Sequence, residues 1–90
     1  MKVVRINAVW CSGCLVMKKV WRDIEKEIKN IEFIDYDYDM DEEEVKKYNI
    51  GDIVPVNIFY VGDKEVSRLI GEKSKNEVLE EVKKVLNYEV

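Results

Sequence analysis

The sequence predicts an α/β fold in which a mixed, four-stranded sheet is flanked by helices, in the order β-α-β-α-β-β-α. Three features of the chain support this prediction. A strand of buried type, an amphipathic helix and a second strand follow one another, as in a parallel βαβ unit. Two apolar strands then lie on either side of a short glycine-containing connection, which predicts an antiparallel hairpin. The last element is a capped amphipathic helix.

The first half of the chain carries the βαβ pattern. Residues 3–9 are rich in β-branched side chains and predict a strand that is buried on both faces. From Ser12 onward, apolar residues recur at steps of three and four, which predicts a helix that ends near Asn30. Residues 31–38 predict the second strand. The apolar face of the helix comprises Val16, Met17, Val20, Trp21, Ile24 and Ile28.

The second half predicts a short helix, a hairpin and a closing helix. Asp41 is placed to cap a helix that ends near Tyr48, and the glutamates that follow suit its positive end. Residues 56–61 and 65–70 predict two strands joined by the connection Gly62-Asp63-Lys64. Ser74 and Glu77 form a capping box for the closing helix. Its apolar face comprises Val78, Leu79, Val82, Val85 and Leu86.

Length and charge limit the classes of protein to consider. The 90 residues suit a single domain, residues 1–90, with one hydrophobic core. The net charge of −4 gives no basic surface for a phosphate backbone, so we expect no nucleic acid partner. The apolar runs are short and no cleavage site follows the first residues, so we expect no membrane association and a cytoplasmic location.

Two cysteines lie where the first strand gives way to the first helix, in the segment Trp10-Cys11-Ser12-Gly13-Cys14. A thiol at a helix N-terminus lies among unpaired N–H groups, which favour its thiolate form. Cys11 is therefore predicted to be the nucleophile, and the only one of the two with access to solvent. Cys14 lies about one helical turn further on, close enough to attack a mixed disulfide formed by Cys11.

Three segments resemble the thioredoxin and glutaredoxin superfamily: the Trp-Cys-x-x-Cys motif, Val54-Pro55 before an apolar strand, and residues 70–75 before the last helix. The resemblance implies a minimal thioredoxin fold, like that of small glutaredoxin-like members. It also implies a thiol-disulfide oxidoreductase that reduces protein disulfides and needs no cofactor. Its active-site disulfide would be reduced again by a reductase such as a thioredoxin reductase. By the same resemblance, Val54-Pro55 would be a cis-proline loop beside Cys11, and Trp10, Val54 and Pro55 would contact the substrate.

The chain also departs from this pattern in three places. Ser12-Gly13 stands between the cysteines, where thioredoxins usually have Gly-Pro and glutaredoxins Pro-Tyr. Gly71 is followed by Glu72 rather than by the second glycine that helps glutaredoxins to hold glutathione. Arg5 stands where thioredoxins have a buried acid. Because an unpaired guanidinium would be costly to bury, we expect Arg5 to pair with Asp35 on the neighbouring strand, with Asp37 as the second choice.

Other interpretations of the two cysteines stay open at this point. A structural disulfide that closes so short a loop would gain only about 2 kcal/mol. The chain could instead be a thioredoxin-fold interaction module without catalysis, or a dimer bridged by a four-cysteine metal site shared between two chains. With no histidine, the chain has no zinc-finger pattern of its own. We expect a monomer with no metal.

Overall fold

The order of elements is the one that the sequence predicts, and the computed structural model describes them over residues 1–88. In chain order they are β1 (Lys2–Asn7), α1 (Ser12–Glu27), β2 (Glu32–Asp37), α2 (Glu42–Lys46), β3 (Val56–Val61), β4 (Lys64–Ile70) and α3 (Lys75–Tyr88).

The four strands form one mixed sheet in the order β2-β1-β3-β4. Strand β1 runs parallel to β2, with Arg5 opposite Asp35, and antiparallel to β3, with Arg5 opposite Asn57. Strands β3 and β4 pair antiparallel. Strand β1 is thus central, and Val3, Val4 and Ile6 are fully buried on its two faces, which confirms the predicted buried strand.

Alternation along the strands separates two layers of core. Val3 and Phe59 face α1 and α3 and pack with Met17, Trp21, Ile24, Val78, Val82 and Val85. Val4, Ile6, Val56 and Ile58 face the other way, toward Val45 of α2. The predicted apolar faces of α1 and α3 therefore point at the sheet, with one exception. Val16 is 43 % exposed, because its position on α1 is one step away from the buried row of Cys14, Met17 and Trp21.

Two helix ends differ from the prediction. Helix α1 ends at Glu27 rather than near Asn30, because Ile28 takes an extended conformation while its N–H still bonds to the Ile24 carbonyl. Asp41 precedes α2 as predicted, but its side chain makes no cap hydrogen bond. Its Oδ2 instead accepts from the backbone N–H of Asp37, 2.8 Å away, and so closes the turn between β2 and α2.

The local sequence explains where the hairpin turns and where the last helix begins. Val61 pairs with Lys64, so the connection is the two-residue loop Gly62-Asp63 and Lys64 already belongs to β4. Gly62 has a positive φ of 63°, which suits glycine at the first position of such a turn. The Ser74 hydroxyl accepts from the backbone N–H of Glu77 over 3.2 Å, as a capping residue does.

Among residues 1–88, no helix is long and apolar enough to cross a lipid bilayer.

Candidate active site

The segment between β1 and α1 brings the two cysteines into direct contact. Cys11 is the N-cap residue of α1 and has an extended backbone, with φ −95° and ψ 111°. Its Sγ accepts a hydrogen bond from the backbone N–H of Cys14, 3.1 Å away. The Cys11 N–H in turn donates to the Ala8 carbonyl over 3.2 Å, which sets the turn that leads into the helix. The Cys11 sulfur thus takes the place of a capping oxygen at the positive end of a sixteen-residue helix.

The two thiols are free and almost equally buried. Cys11 is 8 % exposed and Cys14 is 6 % exposed. They form a small apolar cluster with Ala8, against which Tyr38 and Val54 pack. The prediction that only Cys11 has access to solvent is therefore wrong. What separates the two cysteines is their position on α1, because Cys11 caps the helix while Cys14 lies inside its first turn.

Cys14 is held in the protonated form. Burial raises the pKa of Cys14 to about 12, and the hydrogen bond with Cys11 acts in the same direction, against a smaller opposing effect from the Ala8 backbone. Cys14 is thus a thiol at neutral pH. It can become a nucleophile only after its proton has left.

Trp10 lies on the surface beside the cysteines and is 60 % exposed. Its indole Nε1 donates to Oδ2 of Asp39 over 2.7 Å. Its ring meets that of Tyr38 edge to face, with centroids 6.3 Å apart. The Tyr38 hydroxyl lies 3.2 Å from both the Gly51 carbonyl and Oδ1 of Asp52. These contacts fix the orientation of an exposed aromatic ring next to the helix N-terminus.

Val54 and Pro55 approach the cysteines from the segment before β3. The peptide bond between them is cis. Val54 packs against the cluster of Ala8, Cys11 and Cys14, and Pro55 is buried. The Pro55 carbonyl accepts from the N–H of Gly71 over 2.8 Å, which ties this segment to the end of β4. Gly71 has φ 88°, a conformation that favours glycine.

Glu72 lies directly over the start of α1. A Cβ built on Gly13 would be 3.3 Å from Glu72 Oε1 and 3.5 Å from Pro55 Cδ. Glycine at position 13 therefore lets both Pro55 and the glutamate approach the active-site turn closely.

The predicted partner of Arg5 is confirmed. Its Nε and Nη2 donate to the two carboxylate oxygens of Asp35 over 2.5 and 2.8 Å, a bidentate pair. The guanidinium also lies 4.0 Å from the centroid of the Phe33 ring, and its Nη1 is 3.6 Å from Oε1 of Glu25. The Arg5 side chain is 18 % exposed, whereas that of Asp35 is 57 % exposed.

A cavity of about 530 Å³ lies between α1 and the ends of β1 and β2. Its lining includes Cys14, Met17 and Trp21 from α1 and Arg5 and Asn7 from β1. Asp35, Asp37 and Asp41 also line it. Cys14 thus borders a space that polar and charged groups share. Among residues 1–88, no three histidine, cysteine or acidic side chains are grouped so as to hold a metal ion.

The site contains residues that sequence reasoning did not single out. Asp39 and Tyr38 hold Trp10, and Glu72 adjoins Gly13. No local pattern points to Asp39, because its partner lies 29 residues away in the chain. For Glu72 a signal did exist, since it stands where glutaredoxins have the second glycine that helps to hold glutathione.

The site consists of a capping cysteine, a second cysteine one turn further along α1, and a proline loop that lies against both. It can be compared with known proteins. The sequence model of the thioredoxin family matches residues 1–84. The chain belongs to the thioredoxin family. The thioredoxin of Mycoplasmoides gallisepticum is 31 % identical over 81 residues, which cover 90 % of this chain and 80 % of that relative.

Solved structures agree. The X-ray structure of Fasciola hepatica thioredoxin superposes with a TM-score of 0.83 at 30 % identity, over 92 % of this chain and 78 % of that one. The reduced Schistosoma mansoni thioredoxin pre-protein gives 0.81 at 28 % identity, over 93 % and 77 %. Membership of the thioredoxin family makes this chain a thiol-disulfide oxidoreductase with a CxxC-type cysteine pair, and makes protein disulfides its class of substrate.

Proposed function

We propose that this thioredoxin-family protein reduces protein disulfides through the dithiol Cys11-Ser12-Gly13-Cys14, with Cys11 as the nucleophile and Cys14 as the resolving thiol. The observation that carries the proposal is the hydrogen bond from the Cys14 N–H to Cys11 Sγ at the N-terminus of α1. A sulfur that accepts such a bond, at the positive end of a helix, is stabilised as a thiolate. Cys11 is therefore the thiol prepared for attack.

The first step joins the enzyme to its substrate. The Cys11 thiolate attacks one sulfur of a substrate disulfide, an S–S bond forms between them, and the original S–S bond breaks. The other substrate sulfur leaves with the electron pair and takes up a proton from water. The product is a mixed disulfide between Cys11 and the substrate.

The second step releases the substrate. Cys14 loses its proton and its sulfur attacks Cys11 Sγ, forming the Cys11–Cys14 disulfide and expelling the second substrate thiolate. Because burial raises the pKa of Cys14 to about 12, loss of this proton is the demanding part of the step. The polar cavity beside Cys14 offers the proton a route to water past Arg5 and Asp35. The substrate leaves as a dithiol, and the enzyme has given up two electrons.

Trp10, Val54 and Pro55 are proposed to receive the substrate chain. Trp10 has an exposed ring whose indole N–H is bonded to Asp39. Val54 packs on the cysteines and lies in the segment without helix or strand that precedes β3. An extended substrate segment can pair with the backbone at such a place, so that affinity depends little on the substrate's side chains.

A reductase must return two electrons and two protons to the oxidised pair of cysteines. We propose that this partner is of the thioredoxin reductase type and that the protein acts as a monomer. Disulfide reduction suits a reducing compartment such as the cytoplasm, where a dithiol of this kind stays mostly reduced.

The test is turnover on a protein disulfide with thioredoxin reductase and NADPH, and in parallel with glutathione as donor. We expect turnover with the reductase, none with Cys11→Ser, and a stable mixed disulfide, detected by mass spectrometry, with Cys14→Ser. If Cys11→Ser turns over as well as the unchanged protein, the assignment of the nucleophile is wrong. Zinc bound to purified reduced protein at one ion per two chains would instead support a metal-bridged dimer.

A further inference from the structure

Glu72 is a charged side chain at the edge of the dithiol turn that the exchange steps do not use. Its carboxylate lies against Gly13, one residue before Cys14, and among residues 1–88 it has no hydrogen-bond or ion-pair partner. The residue is exposed. From the spacing of Cα atoms in the first turn of a helix, the carboxylate is within about 10 Å of Cys11. A side chain next to the reacting cysteine of a substrate can therefore reach it.

The surroundings favour a cation as the group that Glu72 meets. Two further carboxylates belong to the surroundings of Trp10: Asp39 accepts from the indole, and Asp52 accepts from Tyr38, whose ring meets that of Trp10. Trp10, Ile53 and Ile70, which precede Cys11, Val54 and Gly71 in the chain, are exposed apolar side chains. The segments around Cys11 thus expose apolar side chains together with carboxylates.

Several cations of the described residues are already paired with other carboxylates. Lys75 lies 3.4 Å from a Glu27 carboxylate oxygen. Arg68 is bonded to Glu65 and Arg5 to Asp35. Lys73 follows Glu72 directly, and its backbone N–H is bonded to Met17 Sδ. As the chain neighbour of Glu72, Lys73 carries a positive charge that can compete with a substrate for this carboxylate.

We propose that Glu72 is a specificity-determining residue, which favours protein disulfides that carry a lysine or arginine next to the cysteine attacked by Cys11. The inference rests on the proposed function and names the substrates that the site prefers. An exposed carboxylate that attracts one cation in water changes a rate by about two- to fivefold, and salt screens the effect. The charge acts mainly on association, as charges at the rim of an interface do.

The experiment measures single-turnover rate constants for reduction of two synthetic peptide disulfides at low ionic strength. The peptides are identical except that the residue after the attacked cysteine is Lys in one and Glu in the other. Four reduced proteins are compared: the unchanged chain, Glu72→Gln, Glu72→Lys and Glu80→Gln. The last removes the same charge from an exposed position on α3 and so controls for net charge. The pH profile of Cys11 alkylation is measured for each protein.

We expect the unchanged chain to prefer the Lys peptide, and Glu72→Gln to lower the Lys-to-Glu rate ratio by about two- to fivefold. Glu72→Lys should invert the preference, Glu80→Gln should leave it unchanged, and salt on the order of 0.5 M should remove it. An unaltered ratio in Glu72→Gln overturns the proposal. The proposal also fails if Glu72→Gln changes the rates with both peptides equally and shifts the pH profile of Cys11 alkylation, since Glu72 would then act through the thiol. If the unchanged chain reduces neither peptide, the proposed function itself fails.

Discussion

The backbone N–H of Cys14 donates to the sulfur of Cys11, and the two thiols, although almost equally buried, differ in this hydrogen bond and in their position on α1. The Cys11 sulfur accepts this hydrogen bond at the positive end of α1, an arrangement that favours a thiolate. Cys14 lies inside the first turn of α1, and burial, followed by its hydrogen bond with Cys11, raises its pKa to about 12.

This difference predicts unequal alkylation of the reduced protein. At pH 7 to 8, Cys14 should react with iodoacetamide at least about a hundredfold more slowly than Cys11, because only the thiolate is a nucleophile. A raised pKa means that the rate at Cys14 climbs with pH up to about 12 rather than levelling off near the value of a free thiol. Mass spectrometry of each labelled cysteine gives both rates. Equal rates at neutral pH would contradict the assigned roles.

A second prediction concerns Asp39, which holds the Trp10 indole. Asp39→Ala should lower the rate of exchange with a protein disulfide by about two- to tenfold, because the exposed ring loses its only side-chain hydrogen bond among the described residues. The free energy of unfolding should change by less than about 1.5 kcal/mol, since the contact is exposed. Asp63→Ala, in the hairpin loop, removes the same charge and should have no effect on the rate. If both variants slow exchange equally, overall charge and not the orientation of Trp10 is responsible.

The Arg5–Asp35 pair predicts an asymmetry between its two single variants. Asp35→Ala leaves a mostly buried guanidinium whose remaining ion-pair partner among residues 1–88 is Glu25, 3.6 Å away, and should cost about 1 to 3 kcal/mol of unfolding free energy. Arg5→Met leaves a carboxylate that is 57 % exposed and stays hydrated, so its cost should be smaller. Adding Arg5→Met to Asp35→Ala should recover stability. Urea unfolding of the three variants tests this, and a larger loss for Arg5→Met would show that the pair does not decide the effect.

The last prediction concerns the buried pair of Trp21 and Asn57. The indole Nε1 donates to Oδ1 of Asn57 over 3.0 Å, while Nδ2 of Asn57 has no partner among residues 1–88. Trp21→Phe would leave the whole amide of Asn57 unpaired in the core, which costs about 1 to 3 kcal/mol beyond the loss of packing. Adding Asn57→Leu should then restore part of the stability. Thermal unfolding of the single and double variants measures this. Further destabilisation by Asn57→Leu in the Trp21→Phe background would contradict it.

Local patterns in the sequence were sufficient for the elements and for the dithiol. Apolar spacing of three and four residues predicts α1 and α3, β-branched runs predict the strands, and the change of period between them places Cys11 at a helix N-terminus. The partner of Arg5 could be predicted as well, because the register of a parallel pair follows from the requirement that a buried charge be compensated. In each case the physical cause acts within a few residues or across one pair of adjacent strands.

Only the tertiary structure decided what surrounds the dithiol. The bond from Trp10 to Asp39, the approach of Glu72 to Gly13 and the near-equal burial of the two thiols all join segments that are far apart in the chain. The same holds for Asp41, which sequence reasoning assigned to cap α2 but which bonds back to Asp37 in the turn. Such contacts depend on where loops end after the sheet has formed. The sequence by itself therefore determined which chemistry this protein performs, and the packing of distant loops around Cys11 determined the surface that surrounds the dithiol.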